Sequence, residues 1–301
     1  MSQRRAGFKK GIILVTAVLF SLSSYMDVSA FTDEKKLIQI DTTREWVDAS
    51  NVVLDLQKLH FDYSDVYGDN EFSRLNRIIK QSMGSSREDF QLQFVNFSEE
   101  NFNKLSDAIE ELCFYNGYSI KRFRLDYKKD PSEVIYRSKI HLETRESREE
   151  RKKVERWVNE QVKKHVAPLK NDVDKIKRIN KIIAENIKYD DNLSNFTAYE
   201  GVFKGATVCD GYSVLGHRML SAAGFKDILT VKGFSTQSGK NVPHRWNMIR
   251  LGDKWYHIDF TFNDTGHYPK SEKYLNNYLL KSDQYMRKDH KWDETKYPSA
   301  Y

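Results

Sequence analysis

Cysteine is almost absent from this chain: its 301 residues include two, Cys113 and Cys209. One disulfide is the most that cross-linking can supply, and the close cysteine pairs of zinc ribbons and CxxC redox sites are missing. Proline and glycine, at 5 and 14 residues, are too scarce for a collagen-like or low-complexity chain. There is no internal repeat, no P-loop, no GxGxxG and no EF-hand loop, so no cofactor is expected. Neither sign of charge dominates. The 49 Lys and Arg are interspersed with 43 Asp and Glu, which reads as a solvated surface and excludes nucleic acid as an expected partner. The longest apolar run, "GIILVTAVLFSLSS", falls short of the ~20 residues that cross a membrane.

What is present begins with that run. It follows Arg4, Arg5, Lys9 and Lys10 and precedes the small-residue pattern Val28-Ser29-Ala30. This is the layout of an export signal cleaved before Phe31. Residues 1–30 are therefore expected to be a signal peptide. The mature protein is expected to be secreted or at the cell surface, without stable membrane insertion; an uncleaved N-terminal anchor is the alternative. No cysteine sits at the cleavage point for lipidation. Cleavage removes four basic residues and one acidic residue, so the formal charge falls from +6 to +3. About 270 residues remain, enough for one large domain or two.

The remainder divides into three stretches. Residues 31–89 read as a helical and linker segment: "REWVDASNVVLDLQKLHF" puts Trp46, Val53, Leu56 and Leu59 loosely on one side of a helix, and "SMGSSRED" reads as a linker. Residues 90–145 read as a small α+β domain. "FQLQF" alternates as a strand does, and Phe102, Leu105, Ile109 and Leu112 form a helical stripe with Cys113 beside it. "YSIKRFRLDY" and "VIYRSKIHL" then read as paired strands, completing a β-α-β-β unit. Residues 146–301 open with two helices, marked by Val154, Trp157, Val158, Val162 and Val166, then, after Pro168, by Ile176, Ile179, Ile183 and Ile187.

The chemistry gathers around Cys209. Val208, Tyr212, Leu215, Met219 and Ala222 recur at helical spacing, with Gly224 placed to cap the end, so Cys209 stands in the first turn of a helix. Helix starts favour a thiolate, and their unpartnered N–H groups can donate to an oxyanion. Ser213 and Gly216 continue the cysteine's row and are small enough for a sheet to approach closely. Further on, "NVPHRWNMIRLGDKWYHIDFTF" reads as a hairpin turning at Gly252-Asp253. A two-residue turn pairs Leu251 with Lys254. It sets His244 opposite Thr261 and diagonal to Asp259 on one face. Thiol, imidazole and carboxylate in that relation make a nucleophile, base and orienter. His257 shares the face and is the rival base; His217, inside the cysteine's own helix, reads as structural. Cys209, His244, His257 and Asp259 are also metal-ligand types, but their spacing matches no zinc motif. A Cys113–Cys209 disulfide is the structural alternative, and it would silence the thiol.

"TVCDGYS", "HRWN" and "WYHIDFT" resemble, in order, three motifs of the transglutaminase-like superfamily of papain-type thiol enzymes. The resemblance spans roughly residues 170–265. It implies a nucleophile helix packed on an antiparallel sheet, here preceded by the small β-α-β-β domain, in the α+β class. It further implies Cys209 as nucleophile, His244 as base and acid, and Asp259 as orienter, with Tyr212 and Trp246 as packing or substrate-binding residues of the site wall. Phe260 and Phe262 stand where the family often has proline and tryptophan. The implied reaction is acyl transfer or hydrolysis on a protein or peptide amide through a Cys209 thioester. Transglutaminase, cysteine protease and amidase all remain open, and a non-enzymatic cell-surface binding module is the competing class.

Overall fold

A computed structural model describes residues 10–15, 47–61, 63, 66, 68–84, 89–129, 134–264 and 275–301. The cleavage site read at Val28–Ala30 lies outside them. The chain divides into two compact units: Met1–Leu112 with Ile120–Thr144, and Cys113–Ser119 with Arg145–Tyr301.

The first unit contains β1 (Lys10–Val15), β2 (Val47–Asp55), α1 (Glu71–Gly84), β3 (Asp89–Val95), α2 (Glu99–Tyr115), β4 (Ile120–Lys129) and β5 (Tyr136–Thr144). Its five-stranded sheet runs β1-β4-β5-β3-β2. The β-α-β-β reading describes its centre. Phe90, Leu92 and Phe94 alternate into the core from β3, and Phe102, Leu105, Ile109 and Leu112 face it from α2. β4 and β5 pair antiparallel, with Leu125 opposite Ile140.

The sheet reaches further toward the N-terminus than its sequence suggests. The stretch read as helical holds β2, which lies parallel to β3 and shifts register between Asp48 and Val53. Leu54 and Leu56 are buried two residues apart while Val53 is exposed, which is the period of a strand. The pattern is broken by the register shift, and the partner strand lies about forty residues away in sequence, so periodicity alone points the wrong way. The expected linker begins inside α1, which extends to Gly84. β1, drawn from the apolar run of the expected signal, pairs antiparallel with β4.

The second unit opens with α3 (Arg148–Gln161). Ser147 caps it, with Glu150 returning the bond in a capping box. One π-helical turn, Val162–Val166, leads toward α4 (Asp172–Asn186), whose Ile176, Ile179 and Ile183 are buried as their spacing predicts. β6 (Lys188–Tyr189), α5 (Ala198–Lys204) and β7 (Ala206–Thr207) follow, β6 and β7 pairing in parallel just ahead of α6 (Cys209–Ala222). A second sheet is built from β8 (Ile228–Ser235), β9 (Val242–Leu251), β10 (Lys254–Ile258), β11 (Leu279–Lys281) and β12 (His290–Trp292), in the order β11-β10-β9-β8-β12, with the short helix α7 (Phe260–Asn263) after β10. Among the described residues no helix is long and apolar enough to cross a membrane.

Helix α6 lies close against this sheet because Gly216 has no side chain. A Cβ there would stand 2.2 Å from the Phe260 ring and 3.1 Å from Asn247 Oδ1. Gly216→Ala is expected to destabilise the protein by about 1–3 kcal/mol, the usual cost of overpacking. A urea melt with an unchanged midpoint would show that the contact yields freely.

Candidate active site

The approach to Cys209 is fixed by its local backbone. Asp190 accepts from the backbone amides of Asn192, Ser194 and Asn195 and so folds the loop between β6 and α5. Thr197 and Glu200 form a capping box on α5, and Gly205 ends that helix in the left-handed conformation at φ 83°. The chain then extends through Ala206–Thr207 and enters α6 at Cys209. Val208, the residue at the N-cap, makes no side-chain cap. No N-cap side chain therefore occupies the start of α6, a place suited to an oxyanion. Gly211 permits the geometry: a Cβ there would meet Thr207 Oγ1 at 2.0 Å and the Thr197 carbonyl oxygen at 2.7 Å.

Cys209 is buried, and both cysteines are free. Its helix packs on β9, and the backbone N–H of Arg245, the residue after His244 on that strand, favours the thiolate. Burial pushes the thiol well above its ordinary pKa, and the Asp210 carboxylate adds to this. The Arg245 amide and guanidinium act in the opposite sense. The resting sulfur therefore keeps its proton until a base takes it. Asp210 is held by a buried ion pair, Arg245 Nε to Asp210 Oδ1 at 3.2 Å, and the Arg245 guanidinium lies 3.6 Å above the Phe114 ring.

His244 donates from Nε2 to Asp259 Oδ2 at 2.6 Å. Nδ1 is thereby left with the lone pair, as a base for a thiol requires. The imidazole is fixed on both sides, nearly parallel to Trp246 at 5.7 Å and against Phe262 at 4.8 Å. For the Asp259 carboxyl, burial raises the pKa, but the charge and hydrogen bond of His244 and the hydrogen bond of His290 outweigh it and hold the group well below the usual range.

The hairpin register is the one the sequence predicts, from Leu251↔Lys254 to Asn247↔Ile258. The His–Asp contact is made differently. β10 stops at Ile258, and Asp259 caps α7, its Oδ1 accepting from the Phe262 amide at 2.9 Å. The expected pairing of His244 with Thr261 does not form, because the chain has already turned into that helix. His257 faces Met248 as read, but it is not placed as a base. Its Nδ1 accepts from Trp246 Nε1 at 2.9 Å and its Nε2 donates to Asp283 at 2.8 Å. A ring that accepts at one nitrogen and donates at the other is a neutral imidazole, and burial lowers its pKa. His217 lies against Gly117, and burial takes it down to about 4, which suits a structural residue. Tyr212 is buried with its hydroxyl on Asp264 at 2.5 Å, and Trp246 is buried against the rings of His244 and His257. Both are buried, and neither presents an exposed surface.

Two features escape the sequence reading. Tyr189 on β6 pairs with Thr207, two residues before Cys209, and its phenol is raised to about 12, first by partial burial and then by nearby negative charge. His290 donates to the same Asp259 oxygen that His244 uses, at 3.0 Å. His244, Asp259 and His290 bring potential ligand atoms within 4.8 Å of one another, and these two hydrogen bonds account for that closeness. His290 lies in none of the three motifs. Tyr189 precedes the thiol by twenty residues, and His290 is delivered by the pairing of β12 with β8.

Residues 158–260 match the family model of the transglutaminase-like superfamily. No curated protein matches the chain. Among solved structures, a candidate cysteine protease from Cytophaga hutchinsonii is 16% identical, with 48% of this chain and 58% of that one covered and a TM-score of 0.32. A structure described as a TGase is 15% identical over 76% of this chain and 65% of its own, with a TM-score of 0.35. Legionella pneumophila LapG is 11% identical over 36% and 71%, with a TM-score of 0.25. The chain thus spans less than two thirds of the first two structures.

Proposed function

Starting from a transglutaminase-like core at residues 158–260, we propose that the protein is a thiol enzyme that takes an acyl group from a protein or peptide amide onto Cys209 and passes it to an amine or to water. The observation that carries this reading is the 2.6 Å bond from His244 Nε2 to Asp259, made by a strand, β9, against which the Cys209 helix packs.

The chemistry balances without any other group. His244 Nδ1 takes the Cys209 proton as sulfur bonds to the amide carbon, and the carbonyl oxygen becomes an oxyanion that the first-turn amides of α6 can receive. The C–N bond then breaks as His244 returns the proton to the departing nitrogen, leaving a thioester. An incoming amine or water loses its proton to His244 and attacks the thioester; sulfur leaves and is reprotonated. Asp259 stabilises the imidazolium and holds the ring throughout. The basic N-terminus followed by an apolar run supports the further proposal that the substrate lies outside the cytoplasm.

The test incubates the protein with a glutamine-rich protein and a primary amine, alongside Cys209→Ala, and reads the products by mass spectrometry. Amine adducts on glutamine that depend on Cys209 identify an amine acceptor, and new Cys209-dependent termini identify water. A Cys209 that is inert to alkylation at every pH would overturn the enzyme reading in favour of a binding module.

A further inference from the structure

His290 is the one buried histidine whose two ring nitrogens both meet carboxylates among the described residues. Nε2 lies 3.0 Å from Asp259 Oδ2, and Nδ1 lies 2.7 Å from Asp289 Oδ1. Asp289 is itself held from the other side by the Tyr278 hydroxyl. A neutral imidazole has a single N–H and would leave one carboxylate facing a lone pair, so this geometry calls for the doubly protonated ring. The position is enclosed: the imidazole stands edge-on to Trp246 at 4.9 Å and against Phe262 at 4.8 Å, with the His244 ring 5.4 Å away.

We propose that His290, held as an imidazolium between Asp259 and Asp289, is a positioning residue of the thiol site that anchors the Asp259 carboxylate and shares its charge with His244. The proposal rests on the thiol-enzyme reading and deepens it. Asp259 Oδ2 serves two imidazoles, so the orienting carboxylate is already partly neutralised before His244 gains a proton. The His290 ring lies 5.4 Å from the His244 ring and holds the carboxylate that orients it from the other side. The charged and titratable groups facing His290 are Asp259 at the start of α7, Asp289 beside it, His244 on β9 and Tyr278 ahead of β11, with the His257–Asp283 pair nearby. Burial lowers the pKa of His290, but the hydrogen bonds and charges of Asp259 and Asp289 raise it by more, in agreement with the geometry.

The consequence is a pH effect of definite sign. Removing the His290 charge takes a cation away from the site and disfavours the anionic thiolate, so the thiolate forms at higher pH. The experiment measures the rate of Cys209 alkylation by iodoacetamide against pH, read on the Cys209 peptide, in the full chain. His290→Gln keeps a donor toward Asp259 without the charge and is expected to move the acid-side midpoint up by about one pH unit or more. Asp289→Asn, which removes the reason for the second proton on His290, is expected to move it the same way and serves if the glutamine variant does not fold. An unchanged midpoint in a folded variant overturns the proposal, as does heteronuclear NMR of the native protein showing His290 singly protonated at neutral pH. Loss of the pH profile itself in His244→Ala is expected. A native Cys209 with no His244-dependent profile would instead sink the enzyme reading, so the two failures are distinguishable.

Discussion

Asp259→Asn is expected to lower kcat about ten-thousand-fold and also to cost about 3–5 kcal/mol of folding stability, because the same carboxylate serves two buried histidines. The carboxamide oxygen that replaces Oδ1 can still accept from the Phe262 amide. The carboxamide nitrogen that replaces Oδ2 would point N–H groups at the His244 and His290 N–H donors. One ring must turn over or give up its proton, and a His244 in the wrong tautomer no longer offers Nδ1 to the thiol. Stability has its own pH signature. The native Asp259 pKa lies below that of the unfolded chain, so its stabilisation is fully present above about pH 5 and is lost as pH falls below about 4. Urea melts of native protein and variant should therefore converge in acid and separate near neutrality. Parallel curves would mean that the carboxylate does not carry this interaction.

Cys209→Ala is expected to remove turnover by about 10⁵–10⁶-fold while shifting stability by no more than about 1 kcal/mol. The thiol is small, and sulfur makes only weak hydrogen bonds. Together the two variants separate roles: one group acts only in the reaction, and the other acts in the reaction and in the fold. A Cys209→Ala protein as destabilised as Asp259→Asn would assign the cysteine a structural role.

The legible part of the site is the part set by local arithmetic. A tight turn at Gly252-Asp253 fixes strand register, and register brings His244 and Asp259 within reach across fifteen residues. Helical spacing puts Cys209 in a first turn because the apolar stripe of α6 is unbroken from Val208 to Met219. The ending of β10 at Ile258 is harder to read, since an Asp that continues a strand and an Asp that caps a helix look alike in sequence. His290 is hidden for a different reason. The Asp259 it serves is distant in sequence, and its position depends on β12 finding β8, which no local pattern encodes. β2 reads as helix on the same ground, its parallel partner being distant and its register interrupted.

The segment Cys113–Ser119 places a limit on how this protein can be divided. It is counted with the second unit, although the chain on both sides of it belongs to the first. Phe114 lies under the Arg245 guanidinium and its carbonyl receives the Thr230 hydroxyl, while the Gly117 carbonyl receives Arg218 Nε. The thiol unit is thus discontinuous in the gene. A fragment beginning at Arg145 would carry Cys209, His244, Asp259 and His290, yet leave the Arg245 guanidinium, which pairs with Asp210 beside the cysteine, without the Phe114 ring beneath it. Domain shuffling at the residue 144/145 junction would transfer these four residues without Phe114 and Gly117, so selection is expected to move the two units together.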